Sequence, residues 1–258
     1  MGLFFEPYQA DRCCLCGSSE SLSGEHKVKV SALRKIFGKN AMVIGSFGGA
    51  GSLRSAQGPK SRAFHFSARM CASCNGSHTQ SPDHEFDRFH ISISEMLSQG
   101  KAPELIFSLP EYEVGSAPYL DVFRYFAKLL CCQVAESRGP RPLELSEFAV
   151  GKTDRNLVFL NIDADPTYEN LLNSFGEHQF AGHGGLTVCA DSKSSLPTSF
   201  RSSLSLGAVR YNFWVQYDAA VQAELQHFHH DFWGKCEAAY REAIIAPLSG
   251  DDRRRLGI

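Results

Sequence analysis

Cys13-Cys14-Leu15-Cys16 and Cys71-Ala72-Ser73-Cys74-Asn75 are the stretches from which this 258-residue chain is read. Cys13 with Cys16, and Cys71 with Cys74, form two C-x-x-C pairs. Each pair can give two thiolates from one tight turn, so two such knuckles complete a tetrahedral Zn²⁺ site. Gly17 and Gly76 lie just past the pairs, where the backbone has to turn. Glu25-His26 stands in the segment between them. If the knuckles meet on one ion, Asn75 is fixed beside the metal and His26 comes from the looped-out segment. Cys14 reads as a bystander. Cys131, Cys132, Cys189 and Cys236 read as small buried hydrophobes.

Composition narrows the classes. Hydrophobic residues at 43% and charged residues at 21% are those of a soluble globular protein. No apolar run is long enough to cross a bilayer, so no membrane partner is expected. The N-terminus lacks the basic start and apolar core of a secretory signal, and Glu6 stands where a myristoylation motif wants Ser or Thr. Nine cysteines without an export signal point to a reducing cytoplasm and metal binding rather than disulfides. The formal net charge of −2 excludes a chain-wide basic nucleic-acid binder, so any such contact must come from a local patch.

The local patterns predict an α+β chain. Val28 and Val30 alternate with lysines as a short strand or extended lead-out, and residues 31–37 form a helical turn carrying Arg34 and Lys35. Residues 45–58 are rich in Gly and Ser without periodicity and read as a loop, with Arg54 inside it and Lys60 and Arg62 after it. Residues 63–67 read as a strand leading into the second knuckle. Pro82 opens a helix whose apolar face is Phe86, Phe89, His90, Ile93 and Met96. Pro103, Pro110 and Pro118 mark residues 101–117 as a linker. Beyond it, residues 119–136 read as a largely buried helix, and 156–162, 186–190 and 200–217 as strands. Residues 221–245 read as one long helix, and the Arg-rich tail 251–258 as disordered or a weak phosphate contact. His227, His229 and His230 read as a solvated helix surface, because only positions 227 and 230 share a face.

A Glu-His pair followed by C-x-x-C-Asn resembles the HNH, or ββα-metal, nucleases, in particular the zinc-stapled kind of the endonuclease VII type. The resemblance covers about residues 13–80. It implies a zinc-stapled ββα-metal unit over residues 1–100, the linker, and an α+β domain of unnamed role over residues 118–258. It implies structural zinc on Cys13, Cys16, Cys71 and Cys74, and catalytic Mg²⁺ or Mn²⁺ on Glu25 and Asn75, with His78 standing where some members place a further ligand. It makes His26 the general base. Glu25 replaces the commoner Asp, and the gap from His26 to Cys71 is longer than is usual in the family.

The chemistry is coherent. Phosphodiester hydrolysis needs a water deprotonated near neutral pH, which suits a histidine of pKa ~6.5, and a cation beside the scissile phosphate. Carboxylate and amide oxygens are hard ligands for Mg²⁺, whereas thiolates keep Zn²⁺. Arg54, Lys60 and Arg62 are candidate phosphate contacts or plain solvent charge. The expected substrate is nucleic acid, DNA in preference to RNA. By analogy with bacterial HNH proteins carrying an added domain, the context is antiviral defence. Two other readings stand beside this one. In the first, a non-catalytic zinc module binds nucleic acid or a protein partner. In the second, the C-terminal domain is a sensor or homo-oligomerisation platform that gates the nuclease.

Overall fold

The computed structural model describes residues 4–39, 42–44, 54–176, 179–190 and 197–245. After a short strand β1 (Phe5–Glu6), strand β2 (Leu22–His26) pairs antiparallel with β5 (His65–Cys71). The register runs Leu22↔Cys71, Ser23↔Met70 and Gly24↔Arg69, then shifts so that His26 faces His65. Glu25 alone therefore opposes residues 66–68, an irregularity of the kind that re-aims a side chain. Between these strands lie helix α1 (Val30–Phe37) and a ribbon of β3 (Met42–Ile44) with β4 (Arg54–Ala56). Val30 thus opens a helix instead of extending a strand, while Val28 is buried in the lead-out. Part of the Gly/Ser-rich stretch is strand β4; residues 45–53 lie outside the described residues, as does the tail 251–258.

Helix α2 (Ala72–Asn75) follows β5 directly, and α3 (Gln80–Ser98) buries the expected Phe86, Phe89 and Ile93. Residues 101–117 carry two 3₁₀ turns whose Ile106 and Tyr112 are buried. Helix α4 (Ala117–Glu136) is capped by Ser116, whose Oγ accepts from Tyr119 N at 3.2 Å. Fifteen of its 20 residues are buried, so it has no solvent face of its own and is packed on all sides. One side meets α3 and the β2–β5 hairpin; Cys132 Sγ lies 3.7 Å from both Met70 Sδ and Cys14 Sγ. The other side meets a sheet, with Phe126 against Tyr211 and Phe213 at ring separations of 5.5 and 4.9 Å.

A short strand β6 (Arg141–Pro142) pairs with β1 and precedes α5 (Leu143–Ala149). Next come β7 (Val158–Ala164), α6 (Pro166–Phe175), β8 (Ala181–His183), β9 (Thr187–Ala190), β10 (Pro197–Leu206) and β11 (Val209–Gln216). They build an antiparallel sheet in the order β7-β11-β10-β8, with β9 also on β10. Val209, Tyr211, Phe213 and Val215 alternate inward on β11, as the period-two pattern predicts. The fold is thus mixed α+β: a β/α region carrying the cysteines, followed by a β-rich region, with one hydrophobic core running through both.

The expected C-terminal helix is two helices, α7 (Ala219–Phe228) and α8 (His230–Ile245). His229 breaks it with φ −130° and ψ 48°. The break lets Leu225 on one helix and Phe232, Trp233 and Cys236 on the other all reach the core.

His90 is the polar member of the α3 face. Its Nδ1 lies 2.9 Å from Tyr211 Oη, and Phe86 stacks beside it. Burial, with Lys35 nearby, pushes its pKa down to about 4, against a smaller upward pull from Asp87. The unfolded chain then binds a proton that the folded chain does not between pH ~6.5 and ~4, so this contribution to stability falls as pH falls, by up to ~3 kcal/mol. His90→Gln should keep the Tyr211 contact and flatten that acid limb; superimposable pH–Tm curves for the two proteins would refute the assignment.

Candidate metal centre

The four knuckle sulfurs converge. Cys13, Cys16, Cys71 and Cys74 place their ligand atoms within 4.8 Å of one another, and Cys16 Sγ lies 3.5 Å from Cys71 Sγ. Tetrahedral Zn–S bonds of ~2.3 Å require sulfurs about 3.8 Å apart, so the set fits zinc. Local backbone explains the aim of each pair. Gly17, at φ +75°, donates its N–H to Cys13 O at 2.9 Å and closes the first turn. Cys71 caps α2, its Sγ accepting from Cys74 N at 3.4 Å. Cys14 N donates to Arg69 O at 2.9 Å and Ala72 N to Ser21 O at 3.1 Å, which ties both knuckles to the hairpin. A hydrogen bond with Cys74, against the opposing effect of burial and with help from backbone N–H groups, lowers the Cys13 thiol, while the same bond raises Cys74. Cys14 stays outside the cluster, against Cys132, in keeping with its bystander reading.

Among the described residues this is the one grouping of three or more His, Cys, Asp or Glu donors close enough to share an ion. The expected hard-ligand residues lie around the same hairpin without forming a second such group. Asn75, at the end of α2, donates from Nδ2 to Ser23 Oγ at 2.9 Å and to Gly24 O at 3.4 Å. That places it one residue from Glu25-His26. Glu25 Oε1 accepts from Lys128 Nζ at 3.0 Å. His26 packs its ring on His65 at 3.8 Å, and its Nε2 is buried without a partner. Burial, then the neighbouring His65 and Lys128, push the His26 pKa down to about 4, so its ring is neutral at physiological pH. His78 is turned toward the thiolates, its Nδ1 3.8 Å from Cys74 Sγ.

Three neighbours of this hairpin escaped the sequence reading. Lys128 is fully buried on α4 and also reaches Asp83 Oδ1 at 2.6 Å; His65 is the cross-strand partner of His26. Lys128 leaves a trace in the sequence: it is the one charge in the otherwise uncharged run 125–135. Asp83 reads only as an ordinary first-turn acid, and the pairing of His65 depends on a register no local pattern gives.

Of the candidate phosphate contacts, Lys60 is exposed and joins Arg34 and Lys39 in lining an open cleft of about 360 Å³. Arg62 is exposed in a 3₁₀ turn next to it. Arg54 begins β4, and its side chain lies outside the described residues. No helix among the described residues is long and apolar enough to cross a membrane. Comparison with family models, with curated proteins and with solved structures gives no match.

Removing one thiolate should cost the metal and the fold together, because structural zinc binding is folding free energy. Cys71→Ser is expected to lose zinc by elemental analysis and to unfold the hairpin region. Cys14→Ala should keep a full equivalent. Equal zinc in both variants would overturn the ligand assignment.

Proposed function

We propose that the N-terminal unit is a zinc-stapled, metal-dependent endonuclease of the HNH type. The observation that carries this reading is Asn75. It directly follows the last knuckle cysteine, and its amide is hydrogen-bonded to Ser23 and Gly24, immediately before Glu25-His26. The order of hairpin strand, hairpin strand and helix also agrees with a ββα unit.

In this reading the four thiolates hold a structural zinc. Glu25 and Asn75 would hold a divalent ion, which when bound would supply a Lewis acid beside the scissile phosphate. Two carboxylates already share one cation there, the Lys128 ammonium, so the charge of the site suits a positive ion. His26, neutral at physiological pH, can accept a proton, though a pKa near 4 makes it a weaker base than the ~6.5 that suits deprotonating water. Arg34, Lys39 and Lys60 form the basic patch that the overall charge of the chain does not supply.

A second reading is a non-catalytic zinc module that binds nucleic acid or a protein partner. Two observations favour it: Glu25 is already ion-paired with the buried Lys128, which holds the place of a cation, and His26 Nε2 is buried instead of facing solvent.

Cleavage separates the readings. With Mg²⁺ or Mn²⁺ the protein should nick plasmid DNA, and His26→Ala should lower the rate by roughly 10²–10⁴ while zinc content and folding stay normal. Asn75→Ala should be rescued in part by higher Mg²⁺. His26→Ala cutting as fast as wild type ends the nuclease assignment, and a wild type that cuts neither DNA nor RNA favours the binding module.

Nucleic-acid binding is common to the nuclease and to one form of the module. Replacing Arg34, Lys39 and Lys60 together by Ala should weaken it and reduce the slope of log K against log salt by roughly one for each lost contact. An unchanged slope would remove this cleft from the interface.

A further inference from the structure

A cavity of about 200 Å³ lies between the lead-in after β1, the first knuckle, β5 and the end of α4. Its charged lining is Glu6, Arg12, Arg69 and Arg141. Three guanidiniums stand there against one carboxylate, a net charge of +2 in a chain whose formal charge is −2. Buried Ala68 and Ala135 also line it, and their small side chains leave the space open. Arg141 is held in place: Nη1 donates to Leu15 O at 2.8 Å and Nη2 pairs with Glu6. Arg12 and Arg69 are not used up in this way. Arg12 makes one side-chain hydrogen bond, from Nη1 to Gly17 O at 3.2 Å. Among the described residues the Arg69 side chain has no hydrogen-bond partner, and neither arginine has a carboxylate partner. Both are exposed. The fold keeps them together. Arg12 directly precedes Cys13, and Arg69 lies opposite the buried Ala68 and Met70 in the alternation of β5, its carbonyl accepting from Cys14 N at 2.9 Å.

We propose that this cavity is a binding site for a phosphate monoester. Guanidinium N–H forks match phosphate oxygens, and a monoester near neutral pH carries close to the two negative charges that the lining balances. Cavities for drug-sized ligands run to roughly 300–1,000 Å³, so this smaller one takes the phosphate end of a molecule and not a strand passing through. Glu6, on the rim with its side chain 49% exposed, is the resident anion with which the phosphate competes at Arg141. The same chemistry is offered by a small phosphate ester and by the phosphorylated end of a nucleic acid. The inference goes beyond the nuclease reading and does not need it, because none of Glu25, His26 and Asn75 lines the cavity.

The test uses the full-length, zinc-loaded protein and inorganic phosphate, titrated by calorimetry at low chloride without divalent ions. Wild type should bind with a dissociation constant of about 1 mM or below. Arg12→Gln combined with Arg69→Gln should weaken binding about tenfold or more, and Glu6→Gln should tighten it about tenfold. Arg155→Gln, an exposed arginine outside the cavity, should change nothing. Arginines that only offset the charge of a zinc–thiolate cluster would show the opposite pattern: no phosphate bound by wild type, and zinc lost from the double variant. Wild type that binds no phosphate at tens of millimolar overturns the proposal, and so does a folded double variant that binds as wild type does. If the double variant fails to fold, judged by circular dichroism and zinc content, Glu6→Gln decides: tighter binding supports the site, unchanged or weaker binding overturns it. A single-stranded oligonucleotide with a terminal phosphate, compared with its hydroxyl-ended form, separates the sources. A preference for the phosphorylated strand that the double variant loses supports the site with a nucleic-acid end as its ligand. Equal binding of the two strands, with inorganic phosphate still bound, supports it with a small phosphate ester. Failure of the nuclease reading shows separately, as phosphate bound by a protein that never cuts.

Discussion

Burial of α4 on every side is the constraint from which the rest of this structure follows. A helix with no solvent face must be covered by other elements, and here the hairpin with α3 covers one side and the antiparallel sheet the other. Each large apolar side chain it buries, Phe126 or Leu130 for example, contributes roughly 1.5–3 kcal/mol. The cysteine-bearing region and the β-rich region therefore draw on the same core. Phe4 and Phe5 reinforce this from the N-terminus, both donating their N–H groups to Glu224 Oε1, at 2.7 and 2.8 Å.

The hairpin itself is small. Two strands of five and seven residues are marginal alone, and theirs is interrupted by an irregular register. The sulfur cluster adds what the hairpin lacks. It joins the turn before β2 to the turn after β5, and a metal bound there would contribute directly to folding. With the knuckles closed, the irregular step at Glu25 is held in place, and so is the contact of Asn75 with Ser23 and Gly24. A sulfur cluster suited to a soft metal thus lies beside residues with oxygen donors.

Much of this is legible in the sequence, for reasons that differ by element. The knuckles are legible because C-x-x-C spacing is a local signal with a single geometric use. Helices α3 and α4 and strands β10 and β11 are legible because their periodicities are strong and uninterrupted. The ribbon of β3 and β4 is not, because its strands are three residues each and sit in Gly/Ser-rich sequence. The break at His229 is also hidden, since no Gly or Pro marks it and the demand comes from tertiary packing of Phe232 and Trp233. In the site, Glu25, His26 and Asn75 carry motif signals, whereas Lys128 and Asp83 are joined only by the packing of α4 against α3.

The Lys128 pairing is a costly way to fill the middle of a buried helix. A buried ion pair is weak ground for stability: replacing such groups by apolar ones of similar volume is often neutral or stabilising. An α4 serving only as the core of the fold would be at least as well served by an apolar residue at position 128, as at Phe126 and Leu130 beside it. The charge instead pairs with Glu25 and Asp83, and each of them keeps one oxygen without a protein partner among the described residues. Had the three groups merely neutralised one another, one carboxylate would have sufficed for one ammonium. The second carboxylate gives the buried ammonium a partner on each of two elements, so the pairing ties β2 to α3 through α4.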